Sequence, residues 1–366
     1  MQEIIETLRK LVMAPGPTGF EEEVAKVFIE EIKDFVDEIE IDTLGNVIAV
    51  KKGAKKNGPK LMMAAHLDEV SFIVKHVDDR GWVYFDLLGF ADDRTLPGQL
   101  VTIHTKMGSV TGVIGIKGKL AAKPEELAKS IPISDMWIDV GVSSKAEIQK
   151  LGIRVGDPIT FSKRFDTFGC SDMVYAPSLD DRLGCAVLVE TLKRLKKEDC
   201  EATIYAVGTV QEEIGCKGAK VAAYAIDPDM ALILDTTIGE DPVTSDKDAP
   251  IKLGRGPAIR LMDENWSAII GHITPQRVKE LLIRVAETEK IPYQLDVLGK
   301  VATDASVVHL SGRGVLTGTI LVPRRYFHSP IEVANIADVE NAIRFVTAAV
   351  KRIDTSFIKS SSARIK

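Results

Sequence analysis

The chemistry legible in this chain sits where apolar segments stop. Leu61 to Ala65 runs straight into His66-Leu67-Asp68-Glu69. Ala202 to Val210 halts at Gln211, Glu212 and Glu213, just before a glycine-bearing turn. Met230 to Leu234 ends at Asp235, and Val315 to Val322 reaches His328 through a short loop. Between them lies Ser178-Leu179-Asp180-Asp181-Arg182, an acidic turn ahead of a helical pattern. Singly, each has a plain structural explanation: a hydrogen-bonded histidine, a turn-forming aspartate, a helix N-cap at Asp180. Adjacent carboxylates such as Glu212 and Glu213, however, are costly to keep ionised unless something cationic neutralises them. His66, His328, Asp180, Glu213 and Asp235 offer only nitrogen and oxygen donors, a set that suits zinc or cobalt better than calcium or magnesium. One carboxylate can bridge two such ions roughly 3.5 Å apart, as in dinuclear hydrolases. Two divalent cations and a bridging hydroxide then balance the three carboxylates. Glu212 is left over, placed to take a proton from the attacking water and deliver it to a leaving amine. Asp68, two residues past His66, can hold that imidazole in its metal-binding tautomer.

The apolar runs that carry these groups are rich in β-branched residues and read as strands buried on both faces. Parallel strands of one sheet place their C-terminal ends along one edge, so the groups can converge on a single crevice. The alternation of such strands with helical patterns predicts an α/β fold: three layers, α/β/α, around a mixed and mostly parallel sheet. Helices are expected over Glu3 to Met13, from Thr18-Gly-Phe-Glu21 as a capping box through Ile32, over Leu183 to Leu195, near Ala219 to Tyr224, over Thr274 to Lys290 with Thr274 as N-cap, from Asp304 to Leu310, and over Ile336 to Ile353. Ile39 to Asp42, the Leu44-Gly45-Asn46 turn and Val47 to Val50 predict a hairpin, and Tyr293 to Leu298 a further strand.

From Val70 the texture changes. Short β-prone runs (Phe72–Val77, Trp82–Phe85, Leu100–His104, Val110–Ile116, Trp137–Val142, Pro158–Phe161) alternate with Gly, Pro and Asp turns, with one helical stretch from Ser144 to Leu151. This pattern predicts a small barrel or sandwich, taken here as a β-barrel inserted into the catalytic unit. The division is 1–69 and 164–366 for the catalytic domain and 70–163 for the insert. Lys117 to Ile133 is expected as a long loop.

The chain has 366 residues, 45% hydrophobic and 27% charged, with a net charge of −6, enough for two domains. Its mild acidity and lack of a basic run argue against a nucleic-acid partner. The N-terminus lacks the pattern of a secretory signal, and no apolar stretch approaches the ~20 residues needed to span a bilayer. Cys170, Cys185, Cys200 and Cys216 show no CxxC spacing and are expected as free thiols, which places the protein in the cytoplasm.

The stretches AHLDEV at His66, SLDDRLG at Asp180, QEEIGCKGA at Glu212, LDTT at Asp235, LGRGPAI at Gly254 and RYFHSPIE at His328 together resemble the tetrahedral (TET) aminopeptidases. These are zinc exopeptidases whose relatives are labelled glutamyl aminopeptidase or, historically, endoglucanase. The resemblance covers almost the whole chain. It implies one ion on His66, Asp180 and Asp235 and a second on Asp180, Glu213 and His328, with Asp180 bridging, Glu212 as general base and Asp68 orienting His66. It also implies Zn²⁺ or Co²⁺ as cofactor, short peptides as substrates and self-association into a dodecamer through the β-domain. One departure is clear: Val301-Ala302-Thr303-Asp304-Ala305 stands where relatives often carry Gly-Gly-Thr-Asp-Ala, which stiffens a loop expected near the substrate side chain. Asp304 either bonds locally or touches substrate. Two rival readings are a glycoside hydrolase, which needs two separated carboxylic groups but leaves both histidines idle, and a metal-bearing scaffold without turnover.

Overall fold

The computed structural model describes residues 1–169, 172–245, 247–265, 267 and 269–359. Alternation within single strands builds its layers. Leu61, Met63 and Ala65 of the strand Lys60–His66 enter one apolar core, while Met62 and Ala64 enter another on the opposite face. Met230–Ile238 does the same, sending Met230, Leu232 and Leu234 one way and Ala231 and Ile233 the other. A strand with both faces buried needs helices on both sides. On one side lie Gln2–Met13, Glu22–Ile32, Leu179–Leu195, Gln276–Thr288 and Ile336–Val350. On the other lie Lys217–Ile226 and the short Ala305–Val308.

Among the described residues the sheet has twelve strands. Its centre is the parallel series Thr203–Thr209, Lys60–His66, Met230–Ile238, Leu316–Arg325. Antiparallel strands flank it: the hairpin Glu38–Ile41 and Val47–Lys51 on one side, Glu332–Asn335 and Met173–Ala176 on the other. Ala258–Asn265, Ile270–Ile273 and Gln294–Gly299 form a branch on Leu316–Arg325. The inserted unit is a closed six-stranded antiparallel barrel running from Ser71–Val77 to Pro158–Phe161, with its own core around Phe72. Phe72 meets Phe85 and Phe161 edge-on, with centroids 5.3 and 5.2 Å away. The Lys117 to Ile133 loop holds a single helical turn, Pro124–Leu127, and packs Ile131 and Ile133 against that core.

Several local expectations need correction. The capping box at Thr18 is not made: the helix starts at Glu22, and Thr18 Oγ1 instead donates to Asp68 Oδ2 at 3.0 Å. Thr274 likewise donates to the Arg260 carbonyl at 2.6 Å, so the next helix begins after Pro275. The strand expected to end before Asp235 continues to Ile238, because its parallel pairing with Leu316–Arg325 persists to Ile238 opposite Arg324. Asp235 is therefore inside a strand. Cys185, Cys200 and Cys216 are free and buried; Cys170 lies outside the described residues. No helix among the described residues is long and apolar enough to cross a membrane.

Two clasps hold the parts in register. The chain leaves for the barrel beside Glu69 and returns at Lys163, where Lys163 Nζ donates to both Glu69 carboxylate oxygens and Arg182 stands 3.5 Å away. At the other clasp, Asn46 Oδ1 accepts from Val210 N at 3.1 Å and its Nδ2 donates to the Gly218 carbonyl at 3.1 Å. This fixes the turn between Val210 and Gly218. A Cβ on Gly218 would lie 2.3 Å from Asn46 Oδ1 and 2.4 Å from the Val210 carbonyl. Gly218→Ala is therefore expected to destabilise the fold by about 1–3 kcal/mol, read as a lower urea midpoint at unchanged m-value. A midpoint equal to wild type would show that the clasp has slack.

Candidate metal centre

The parallel strands bring their C-terminal ends to one edge, and His66 and Asp235 project there from neighbouring strands. Asp180 lies at the non-helical start of Leu179–Leu195, where Asp180 and Asp181 depart from helical φ/ψ and their peptide is cis. Its carboxylate sits between the two imidazoles: Oδ1 is 3.2 Å from His66 Nε2, and Oδ2 is 3.2 Å from His328 Nε2. Ligand atoms of His66, Asp180 and Asp235 lie within 4.8 Å of one another, and so do those of Asp180, Glu213 and His328. Five side chains thus form two triads sharing Asp180.

The sixth and seventh predicted residues sit beside them. Glu212 has a ligand atom in a third such group, with His66 and Glu213. His66 Nδ1 is 3.2 Å from the Asp68 carbonyl and 3.5 Å from Asp68 Oδ1. The Asp68 carboxylate has a second task that its spacing did not reveal. It accepts from the backbone N–H of Glu212 at 2.9 Å and of Glu213 at 3.1 Å, pinning the acidic turn. Asp304 Oδ2 accepts from Thr209 Oγ1 at 2.6 Å.

Other functional neighbours escaped the sequence reading. Arg324 is 1% exposed, donates to Asp180 Oδ2 and stands 3.0 Å from Glu332 Oε1. Glu332 in turn accepts from Asp180 N at 2.9 Å and His328 N at 3.1 Å. Asp181 accepts from His66 N at 3.2 Å. A charged pair inside the apolar strand Leu316–Arg325 was the available signal for Arg324. Phe90, which the barrel contributes to the same cavity, had none.

Burial sets the electrostatics. It disfavours charge on Asp180, yet Arg324 and the two histidines hold that carboxyl well below its usual range. For the other acids the nearby cations do not outweigh burial. Burial and then the charge of Asp180 push Asp235 up to about 7 and Glu213 well above the carboxylate range. Burial, with Glu213 and Asp235 adding, raises Glu212 likewise against the pull of His66. Glu332 is pushed up to about 7 by burial despite Arg324. Glu213 Oε1 is buried with no hydrogen-bond partner. An excess of buried carboxylates, an orphaned oxygen and two imidazoles form a donor set that fits divalent cations. The cavity above it has a volume of about 720 Å³, with Ile214, Val301 and Ala302 among its walls.

Residues 45–345 match the sequence profile of the M42 glutamyl aminopeptidase family. The chain belongs to that family. Like its other members, this M42 protein is a hydrolase of the aminopeptidase type. It is 33% identical to the lysyl aminopeptidase of Pyrococcus furiosus, over 95% of this chain and 97% of that one. Its structure is similar to aminopeptidase APDkam598 of Desulfurococcus kamchatkensis, with a TM-score of 0.94 and 38% identity, covering 100% and 99% of the two chains. It is also similar to the Pyrococcus horikoshii TET1 peptidase, which can assemble into a tetrahedron or a large octahedral shell; there the TM-score is 0.82, the identity 33% and the coverage 95% and 99%.

The Arg324 pairing in this M42 chain yields a stability prediction. Arg324→Met leaves Asp180 and Glu332 buried without their guanidinium and is expected to cost about 3–5 kcal/mol. Chemical denaturation measures it, and a loss below about 1 kcal/mol would show that the two acids find other partners.

Proposed function

We propose that this chain is a dinuclear metallo-aminopeptidase that releases N-terminal residues from short peptides. The observation that carries this reading is the Asp180 carboxylate, which offers one oxygen to the His66 side and the other to the His328 side. His66, Asp180 and Asp235 would hold one divalent ion, zinc or cobalt, and Asp180, Glu213 and His328 the other. Bound there, the ions supply polarisation of the scissile carbonyl and a lowered pKa for a water.

The chain's own groups supply the rest. Glu212 takes a proton from the attacking water and delivers it to the leaving nitrogen, so one carboxyl serves as base and then as acid. Asp68 keeps His66 and the Glu212 backbone in place. The acid-rich strand edge attracts the ammonium end of a peptide, and the cavity walls at Val301 and Ala302 face its first side chain. Residues 1–69 and 164–366 form the catalytic domain in this reading. Residues 70–163, the barrel, mediate self-association, as a dodecamer in the cytoplasm.

Glu212→Gln separates turnover from metal binding. Hydrolysis of a panel of aminoacyl chromogenic substrates should fall by about 10²–10⁴-fold while metal content, measured by elemental analysis, stays at the wild-type ratio. Activity of the unchanged protein should vanish on chelation and return with zinc or cobalt. Full activity in the variant would remove Glu212 as the base, no turnover by the metal-loaded unchanged protein would favour the scaffold reading, and activity surviving metal removal would favour the glycosidase. Sedimentation velocity tests the assembly: a single species near twelve chains is expected, and a monomer would overturn it.

A further inference from the structure

Beside the two triads lies a place that neither uses. Cys216 opens the helix Lys217–Ile226 from a left-handed backbone conformation, with φ of 54°, which turns its side chain back under the acidic turn. Its Sγ donates to Glu212 Oε1 at 3.3 Å. Asp304 closes the group from the far side: ligand atoms of Glu212, Cys216 and Asp304 lie within 4.8 Å of one another. Two independent features show that this is more than an acidic cluster. Asp304 is 2% exposed, and although Thr209 occupies its Oδ2, its Oδ1 has no hydrogen-bond partner. Glu212 and Cys216 also line the cavity of about 720 Å³, so the group borders it from below.

We infer that Glu212, Cys216 and Asp304 form a third cation site, one that takes a soft divalent ion such as Zn²⁺ or Cd²⁺ and thereby inhibits the enzyme. The thiolate decides the class of ion, since sulfur prefers soft over hard cations and excludes Mg²⁺ and Ca²⁺. Binding forms a sulfur–metal bond and releases the thiol proton to solvent; no electron transfer is involved. The inhibitory consequence rests on Glu212 being the base, because an oxygen bound to a cation no longer accepts a proton from water. The existence of the site does not rest on that reading. The two triads contain no sulfur, and the part of a sulfur–metal signal that Cys216→Ser removes separates the third place from the other free cysteines, Cys185 and Cys200.

The test adds Cd²⁺ stepwise to the zinc-loaded full-length enzyme and follows both the ultraviolet thiolate–cadmium absorption band and the rate. In the wild type the band is expected to grow as activity falls. Cys216→Ser should lose the band and, relative to its own uninhibited rate, need roughly 10–100-fold more Cd²⁺ for half inhibition. Asp304→Asn, which keeps an acceptor for Thr209, should keep the thiol but require a similarly raised Cd²⁺ concentration to develop the band. A band unchanged in Cys216→Ser, or strong inhibition of the wild type with no band, would overturn the proposal. A Cys216-dependent band in a protein that hydrolyses no peptide would instead keep the site and remove the aminopeptidase reading.

Discussion

The charge on Asp180 is the constraint around which the strand ends are arranged. A buried carboxylate is tolerable only when cations and donors surround it. Here they come from two separate stretches: His66 from the end of a central strand, and Arg324 with His328 from the end of Leu316–Arg325 and the loop after it. Each of these stretches is placed by the sheet. The apolar cores on the two faces therefore do more than stabilise the fold; they fix the separation of groups that would repel one another if left free.

The remaining acids are organised by what Asp180 leaves unsatisfied. Glu213, Asp235 and Glu212 share its neighbourhood without an arginine of their own, and burial works against their ionised forms. Asp68 fixes the backbone of the Glu212–Glu213 turn, but its own charge adds to what works against ionised Glu213. A site built with more buried carboxylates than matching side-chain cations is suited to ions from solution.

Much of this was legible in the sequence because the central strands are buried on both faces and read as unbroken apolar runs, so their ends were easy to find. The barrel strands were legible for a related reason, as short β-prone segments between turns. Features decided by distant partners were not. Thr18 and Thr274 have the residue type of caps, but their hydroxyls go to Asp68 and to Arg260, which no local pattern encodes. The strand through Asp235 runs past its apolar residues because the pairing neighbour continues. Arg324 and Glu332 make sense only once Asp180, far away in the chain, stands next to them.

The barrel's attachment has a mechanical consequence. Both of its connections to the sheet are cross-linked by the Glu69–Lys163 pair, with Arg182 behind it. One of its own loops presses on the centre: Gly89, with φ of 101°, passes so close to Glu213 that a Cβ there would lie 3.3 Å from the glutamate's, and Phe90 follows into the cavity wall. Anything that grips the barrel from outside therefore also leans on the rim above Glu213 and His328. Strain in the barrel and the seating of the acidic turn share a lever arm only a few residues long.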